Sequence, residues 1–215
     1  MQFEEWIRFI FLQPIGEPAD ESEWEIFATA RPDLKPGTSV AYLTQLFEHA
    51  DVLLQSFSNA QVKEGLDLVI ANDIFALRDE AVPLAERLRA IQAIQTLFAN
   101  CFARRCSPHL FHSMESDLDP LNVTCYMWWD VLPIHGLVRH HPARSDSAAI
   151  DRTCLDVLKG ILEIDSPACQ ESALNGLHIW SLYYPVKTII DDFLERHADL
   201  RPELRQYAMT AREGW

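Results

Sequence analysis

The stretch Ser166 to Tyr184, SPACQESALNGLHIWSLYY, predicts one buried helix at the centre of the fold. Ser166 is a residue type that begins helices, and Pro167 suits the first turn because the first helical N–H groups have no intrahelical acceptor. At about 100° per residue, one face is apolar and consists of Ala173, Leu174, Leu177, Trp180 and Tyr184. The opposite face carries a polar row of Glu171, Asn175 and His178. One face therefore packs, and the other either binds a partner or is satisfied inside the protein.

Four prolines stand at the starts of helical patterns, Pro83, Pro120, Pro167 and Pro202. They are separated by 37, 47 and 35 residues, which is the range of paired-helix repeats of the HEAT and armadillo type. Partner helices are predicted between them, over residues 59–72, 148–163 and 186–197. The sequence therefore predicts an all-α fold, a short stack of antiparallel helix pairs, with an irregular helical bundle as the alternative.

The domain organisation predicted over residues 1–215 is a single domain, because 48% hydrophobic content allows a sizeable core. Residues 1–38 predict an apolar N-terminal helix followed by an irregular, proline-containing wrapping segment, with a helical piece near residues 23–30. Helical hairpins are predicted over residues 39–215, and Ser39 is expected to cap the first of them.

A second apolar stretch, PLNVTCYMWWDVL at residues 120–132, predicts a helix that is surrounded by other helices. Asp130 directly follows Trp128 and Trp129, and a carboxylate in such surroundings needs a hydrogen-bond donor. A structural hydrogen bond is favoured over a chemical role for Asp130, which is also a candidate contact to a partner.

The chain is strongly acidic, with 32 Asp and Glu against 18 Lys and Arg and a formal net charge of −14. This charge repels phosphate backbones and anionic lipid heads, so neither nucleic acid nor a membrane is an expected partner. The same field would speed encounter with a basic protein, although acidity is also an ordinary means of staying soluble. The predicted partner is another protein, and a basic one would fit the charge.

The predicted location is cytoplasmic. The N-terminus carries Glu4 and Glu5 where a secretory signal needs positive charge, and no segment approaches the roughly 20 apolar residues of a membrane helix. The five cysteines are an odd number scattered through helical patterns, which fits free thiols in a reducing compartment.

The densest group of metal-capable side chains is Cys101, Cys106, His109, His112, Glu115, Asp117 and Asp119. A zinc site commonly has two to four residues between its Cys ligands. Cys101 and Cys106 are five positions apart within or at the end of a helix, so they face different sides of it. No metal and no cofactor are predicted, and His109, His112 and Cys106 remain weak metal candidates.

Catalytic strings are absent from the sequence, which contains no GxSxG, HExxH, P-loop or GxGxxG pattern. In a catalytic interpretation, the row of Glu171, Asn175 and His178 resembles part of a general acid and base set. As structure, it is a polar ridge on the inner, concave surface where helical solenoids bind their partners. Partner binding by this ridge and Asp130, or a structural hydrogen-bond network, is favoured over catalysis.

Three strings resemble a family of uncharacterised bacterial HEAT-like proteins, DPLNVTCYMWWD at 119–130, CQESALNGL at 169–177 and RPELRQYAMTAR at 201–212. The resemblance covers roughly residues 58–212 and implies a HEAT-like fold, but it brings no established activity. The family pattern has His at the position of Asn175 and Gly-His at those of His178 and Ile179, so this chain departs at the polar positions an enzyme would use. Small acidic HEAT-like proteins resemble adaptors and, in some bacterial settings, immunity proteins that neutralise a secreted toxin.

Three functions follow as hypotheses. The first is a non-enzymatic protein-binding module, an adaptor or immunity protein with an acidic binding surface. The second is a metal-dependent or acid/base enzyme that uses the region from Cys101 to His112 or the polar ridge. The third is a structural or oligomerisation subunit.

Overall fold

The computed structural model describes residues 1–13 and 33–214, and every regular element in these ranges is helical. The all-α prediction is confirmed. The longer helices are α1 (Phe3–Phe11), α2 (Pro36–Glu48), α3 (Asn59–Asn72), α4 (Leu84–Leu97), α5 (Pro120–Val131), α6 (Ser147–Leu162), α7 (Pro167–Trp180), α8 (Lys187–Arg196) and α9 (Pro202–Glu213). Within the described ranges, no helix combines the length and the apolar character needed to cross a membrane. The helical piece predicted near residues 23–30 lies outside the described residues.

Shorter helical elements connect the longer ones. They are α-helical turns at Ala50–Leu53, Ala103–Arg105 and Leu137–His140, a 3₁₀ helix at Asp73–Arg78 and a π-helical turn at Phe98–Phe102. The π turn continues directly from α4 and leads into Ala103–Arg105. A π turn holds one residue more than an α turn, so the helix faces before and after it are rotated relative to each other.

The longer helices pack beside the next helix but one along the chain. α1, α3, α5, α7 and α9 form one series of neighbours, and α2, α4 and α6 form a second. α6 also contacts α7, which joins the two series, whereas α8 belongs to neither series and contacts α9. The side chain of Phe47 on α2 packs edge-to-face against Trp128 on α5, with ring centroids 5.8 Å apart. The apolar core therefore lies where the two series face each other.

α5 is an interior helix, as its apolar sequence predicts. The side chains of Trp128 and Trp129 are fully buried. Phe98 and Phe102 of the π turn lie edge-on to Trp128, with centroids 6.0 and 5.7 Å away. Each such aromatic pair contributes about 0.5–1.5 kcal/mol beyond its buried area. This cluster holds α5 against the junction that follows α4.

The predicted prolines lie at helix starts. Pro120, Pro167 and Pro202 occupy the first turns of α5, α7 and α9, and Pro83 directly precedes α4. The expectation that Ser39 caps a helix is wrong, because α2 begins three residues earlier at Pro36 and buries Ser39 inside. A proline at the first position loses no intrahelical hydrogen bond and is already set to helical φ.

α7 is shorter than its sequence predicts, ending at Trp180 instead of Tyr184. Ser166 is its N-cap residue, although its side chain makes no capping hydrogen bond. At the other end, the Ser181 hydroxyl donates to the carbonyl oxygen of His178 at 2.6 Å. Tyr184 precedes a proline, which disfavours helical backbone at that residue. The last four predicted residues therefore form a turn.

A close approach at Gly176 brings α5, α6 and α7 together. A Cβ atom at Gly176 would lie 2.7 Å from Cγ of Trp129 and 2.6 Å from Cδ2 of Leu158. Substitution G176A is expected to lower the free energy of unfolding by about 1–3 kcal/mol, because two packed side chains must shift. Alanine's better helix propensity, about 1 kcal/mol, offsets only part of this cost.

Gly37 supplies the matched control, since a Cβ there would meet no atom within 4 Å. It lies in the first turn of α2. G37A is expected to stabilise the protein by about 0.4–1 kcal/mol through the unfolded state. Urea denaturation followed by circular dichroism measures both variants. Equal stability of the two variants would contradict the close packing at Gly176.

A buried ion pair joins α4 to the start of α6. Nη1 of Arg87 lies 2.7 Å from Oδ2 of Asp146, and the two residues are only 3% and 7% exposed. Nε of Arg87 donates to the carbonyl oxygen of Val82 at 2.9 Å, and Nη2 of Arg144 lies 2.8 Å from the same Asp146 oxygen. Hydrogen bonds from Arg144, and then from Arg87, lower the pKa of Asp146 to about 2 against desolvation, which raises it.

Candidate functional site

The carboxylate of Glu171 is buried in α7 and holds the loop of residues 107–119. Its Oε2 accepts the backbone N–H of Phe111 at 3.0 Å, and its Oε1 accepts that of His112 at 2.8 Å. Nδ1 of His112 lies 2.6 Å from Oε1, and Glu171 is 1% exposed. An ionised carboxylate can be buried only when such donors replace its lost water. Glu171 therefore fixes the backbone of the loop above α7.

The same loop is anchored from two further helices. The Asn122 amide on α5 accepts the N–H of Ser107 at 3.0 Å and donates to the carbonyl oxygens of Ser107 and His109, both at 3.0 Å. Arg201, the N-cap of α9, donates to the carbonyl oxygen of Pro108 at 3.0 Å and pairs with Glu115 at 2.7 Å. These bonds make the loop part of the helical body.

The loop presents Met114, whose side chain is 79% exposed. The backbone of Met114 has φ of 54°, and that of Asp117 has φ of 62°. Both values lie in the left-handed region that residues other than glycine seldom adopt. The anchoring by Glu171 and Asn122 stabilises this backbone against its strain.

A second set of polar contacts continues from His112 to Asp130. The His112 ring stacks on the ring of Tyr207 on α9, with centroids 4.1 Å apart. The hydroxyl of Tyr207 donates to Oδ1 of Asn175 at 3.3 Å and lies 2.9 Å from the hydroxyl of Tyr126. Nδ2 of Asn175 in turn donates to Asp130. We call Glu171, His112, Tyr207, Tyr126, Asn175 and Asp130 the polar network.

The pKa values of three members of the polar network, Asp130, Tyr126 and Tyr207, are shifted upwards. Partial desolvation raises the pKa of Asp130 above its ordinary value although the side chain is exposed, and it does so against the lowering effect of the hydrogen bond from Asn175. Burial also raises the pKa of Tyr126 and, more strongly, that of Tyr207, whose hydrogen bond to Tyr126 acts in the same direction. At neutral pH both tyrosines are therefore protonated hydrogen-bonding groups, which suits them to joining α5, α7 and α9.

The polar ridge predicted on α7, Glu171, Asn175 and His178, is mostly covered in the structure. Glu171 and Asn175 are buried beneath the loop and α9, so the expectation that they stand exposed is wrong. Their polar atoms are engaged by Phe111, His112, Tyr126 and Asp130. These four residues belong to other segments of the chain, so the helical pattern of α7 alone could not reveal the contacts. His178 is half-buried one turn beyond Asn175. Asp130 is the exposed member of the set.

The weak metal candidates do not converge. Nδ1 of His109 lies 3.2 Å from Glu115, whereas His112 is bound to Glu171. Cys106 is half-buried at the end of Ala103–Arg105. Within the described part of the chain, no group of three or more His, Cys, Asp or Glu side chains is arranged to hold a metal ion.

All five cysteines are unpaired thiols. Cys101, Cys125, Cys154 and Cys169 are buried in the core. Burial raises the pKa of the Cys101 thiol to about 12, and it raises those of Cys125 and Cys154 well above the ordinary value. Sγ of Cys125 on α5 donates to the carbonyl oxygen of Ala168 on α7 at 3.6 Å. The thiols of Cys101, Cys125 and Cys154 are therefore protonated at neutral pH and pack as small apolar groups.

Two adjoining cavities open elsewhere, beside the 3₁₀ helix. The larger has a volume of about 570 Å³ and lies between the chain near Asp33 and the residues from Ala71 to Asp79. The smaller, about 350 Å³, lies between α3 and α5. Ala71 and Phe75 line both cavities, and Phe75 is 50% exposed. We call these two cavities together the Phe75 groove.

The groove combines an apolar part with an acidic part. The smaller cavity is lined mainly by apolar side chains, including Ile70, Val123, Met127 and Val131. The larger cavity has three carboxylates in its lining, Asp33, Asp73 and Asp79. No Lys or Arg is among the described residues that line either cavity. Sequence analysis missed this site because Phe75 lies in a short 3₁₀ helix without a helical pattern of its own.

Comparison with family models found no matching family. Comparisons with curated proteins and with solved structures likewise found no match.

Proposed function

We propose that this chain is a non-enzymatic protein-binding module, an adaptor or immunity protein built as a short HEAT-like stack of helix pairs. The packing of the longer helices other than α8 beside the next but one supports the stack, because paired-helix repeats bury their apolar faces against neighbouring pairs. The recurrence of proline at helix starts supports it as well. Stacks of this kind use side chains on an extended surface for recognition.

The observation that carries this proposal is the half-exposed apolar side chain of Phe75 between two cavities. Val131, at the end of α5, is also half-exposed in the lining of the smaller cavity. Contiguous apolar surface beside a depression is typical of protein-binding sites, because its burial against a partner is favourable by about 25 cal/mol per Å². Aromatic side chains are well suited as the central anchors of such contacts.

The polar network favours a structural role over a catalytic one, because its hydrogen-bonding groups are already engaged within the protein. Glu171 already accepts two backbone N–H groups and His112, and Asn175 is engaged on both its oxygen and its nitrogen. A nucleophile or general base must be within hydrogen-bond reach of a substrate. Neither of the two cavities described above includes a member of this network.

Selection of binding peptides from a random displayed library against the intact chain tests the proposal. Selected peptides are expected to bind at the Phe75 groove, so that Phe75→Ala weakens their binding at least tenfold, as loss of a central aromatic anchor does. Titration calorimetry with the synthesised peptides measures the affinity. The variant should remain folded because half of the side chain is already exposed.

Val52→Ala is the matched control, because Val52 is 60% exposed on the short helix Ala50–Leu53 and lines neither cavity. It should leave peptide affinity unchanged. Peptides that bind both variants as tightly as the wild type would place the binding surface elsewhere. A library that yields no binder would count against a protein-binding role.

A further inference from the structure

We infer that the Phe75 groove takes a basic amphipathic segment of a partner protein. An apolar side chain of that segment would fill the smaller cavity, and a Lys or Arg would enter the larger one. This inference rests on the proposed function and adds the chemistry of the partner.

The apolar half of the segment is indicated by the smaller cavity. Its volume of about 350 Å³ falls at the lower end of the range for specific ligand pockets. Its apolar lining comes from Ile70 and Ala71 of α3 and from Val123, Met127 and Val131 of α5. The one carboxylate in that lining, Asp67, is already engaged by Thr124 at 2.7 Å and by Lys63 at 2.9 Å. An uncharged apolar side chain therefore fits this half.

The basic half of the segment is indicated by the larger cavity. Asp33 is exposed and Asp79 half-buried in its lining, and the Asp79 carboxylate accepts the Ala81 N–H at 2.8 Å through one oxygen only. Two cations lie near Asp79 without lining the cavity. Nη2 of Arg78 lies 3.4 Å from Nε2 of His141, and Arg144 interacts electrostatically with Asp79 and is paired with Asp146. A guanidinium or ammonium group entering here meets carboxylates and the side chain of Phe75, an aromatic ring of the kind whose face attracts cations.

Phe75 sets the spacing between the two halves because it lines both cavities. An apolar and a cationic side chain on neighbouring turns of one segment can therefore contact Phe75 from both sides. The net charge of −14 adds a long-range attraction that raises the association rate of a basic segment. A neutral or acidic segment would gain neither the contact of a cation with the carboxylates of the larger cavity nor the long-range attraction.

The library selection also tests this inference, because the sequences of the peptides are read directly. Peptides that depend on Phe75 are expected to carry Lys or Arg next to a large apolar residue. Raising the salt concentration from 50 to about 500 mM should weaken them severalfold, since screening grows as the Debye length shortens. The double variant D33N/D79N should weaken them about tenfold at low salt and flatten the salt dependence.

D165N/D199N is the matched control, because it removes two exposed carboxylates that line neither cavity. It should leave affinity within about twofold. Phe75-dependent peptides without basic residues would overturn this inference while leaving the proposed function intact. Binding of spermidine that displaces the peptides and is lost in D33N/D79N would assign the larger cavity to a small polycation and would also overturn it.

Discussion

Replacing Glu171 with alanine is expected to lower the free energy of unfolding by about 2–5 kcal/mol, because each buried donor left without its acceptor costs about 1–3 kcal/mol. The change leaves the N–H groups of Phe111 and His112 without their acceptor, and it removes the carboxylate beside the His112 ring. The loop of residues 107–119 should then leave α7. Urea denaturation measures the stability, and limited proteolysis should show cleavage in the loop.

Two variants control this prediction. Glu171→Gln keeps one acceptor oxygen and should cost less, about 1–3 kcal/mol. Glu195→Ala removes a carboxylate from the exposed face of α8 and should change stability by no more than about 0.5 kcal/mol. If E171A were as stable as E195A, the buried carboxylate could not be what holds the loop.

Replacing Asp146 with asparagine is expected to cost about 3 kcal/mol at neutral pH, because it leaves the buried Arg87 guanidinium without its counter-charge. The cost should depend on pH. The pKa of Asp146 is about 2 in the folded chain, below the 3.8 that is ordinary for an aspartate side chain in water. A carboxyl group whose folded pKa is lowered contributes stability above its unfolded pKa and loses it as the pH falls through the folded one.

The difference in stability between wild type and D146N should therefore be constant above pH 5 and shrink between about pH 4 and pH 2. The change in the difference is about 2 kcal/mol, from nearly two pKa units at 1.36 kcal/mol each. Urea midpoints at pH 7, 4, 3 and 2 measure it. Subtracting the variant removes the contribution of other carboxylates. A difference that stays the same at pH 2 would show that folding does not lower the pKa of Asp146.

Helix starts were predictable because they depend on local backbone rules. Proline at a first turn marks α5, α7 and α9, and the Ser58 hydroxyl accepts the Gln61 N–H at the start of α3. The prediction that Ser39 caps a helix was wrong because α2 begins at Pro36, a residue that suits the first helical position. The predicted end of α7 was wrong because the helical pattern of the sequence continues to Tyr184, whereas the proline that follows Tyr184 disfavours helical backbone there.

The polar network was only half predictable. Helical spacing places Glu171 and Asn175 on one face, but the groups that engage Glu171 lie 59 and 60 residues earlier in the chain. Tyr207 is 32 residues from Asn175 and is carried by α9. Such contacts depend on how helices stack, which periodicity within one helix does not contain. His112 and Asp130 were named as candidates for other reasons, and neither was expected to join Glu171 or Asn175.

Chemical modification of the buried thiols can report local opening of the helices around them. Cys125 lies at the contact between α5 and α7, and Cys154 lies on α6 in the other series of helices. A protonated, enclosed thiol is modified only while the helices around it are separated. The rates at which an alkylating reagent modifies these two positions therefore report how often the helices around each thiol separate.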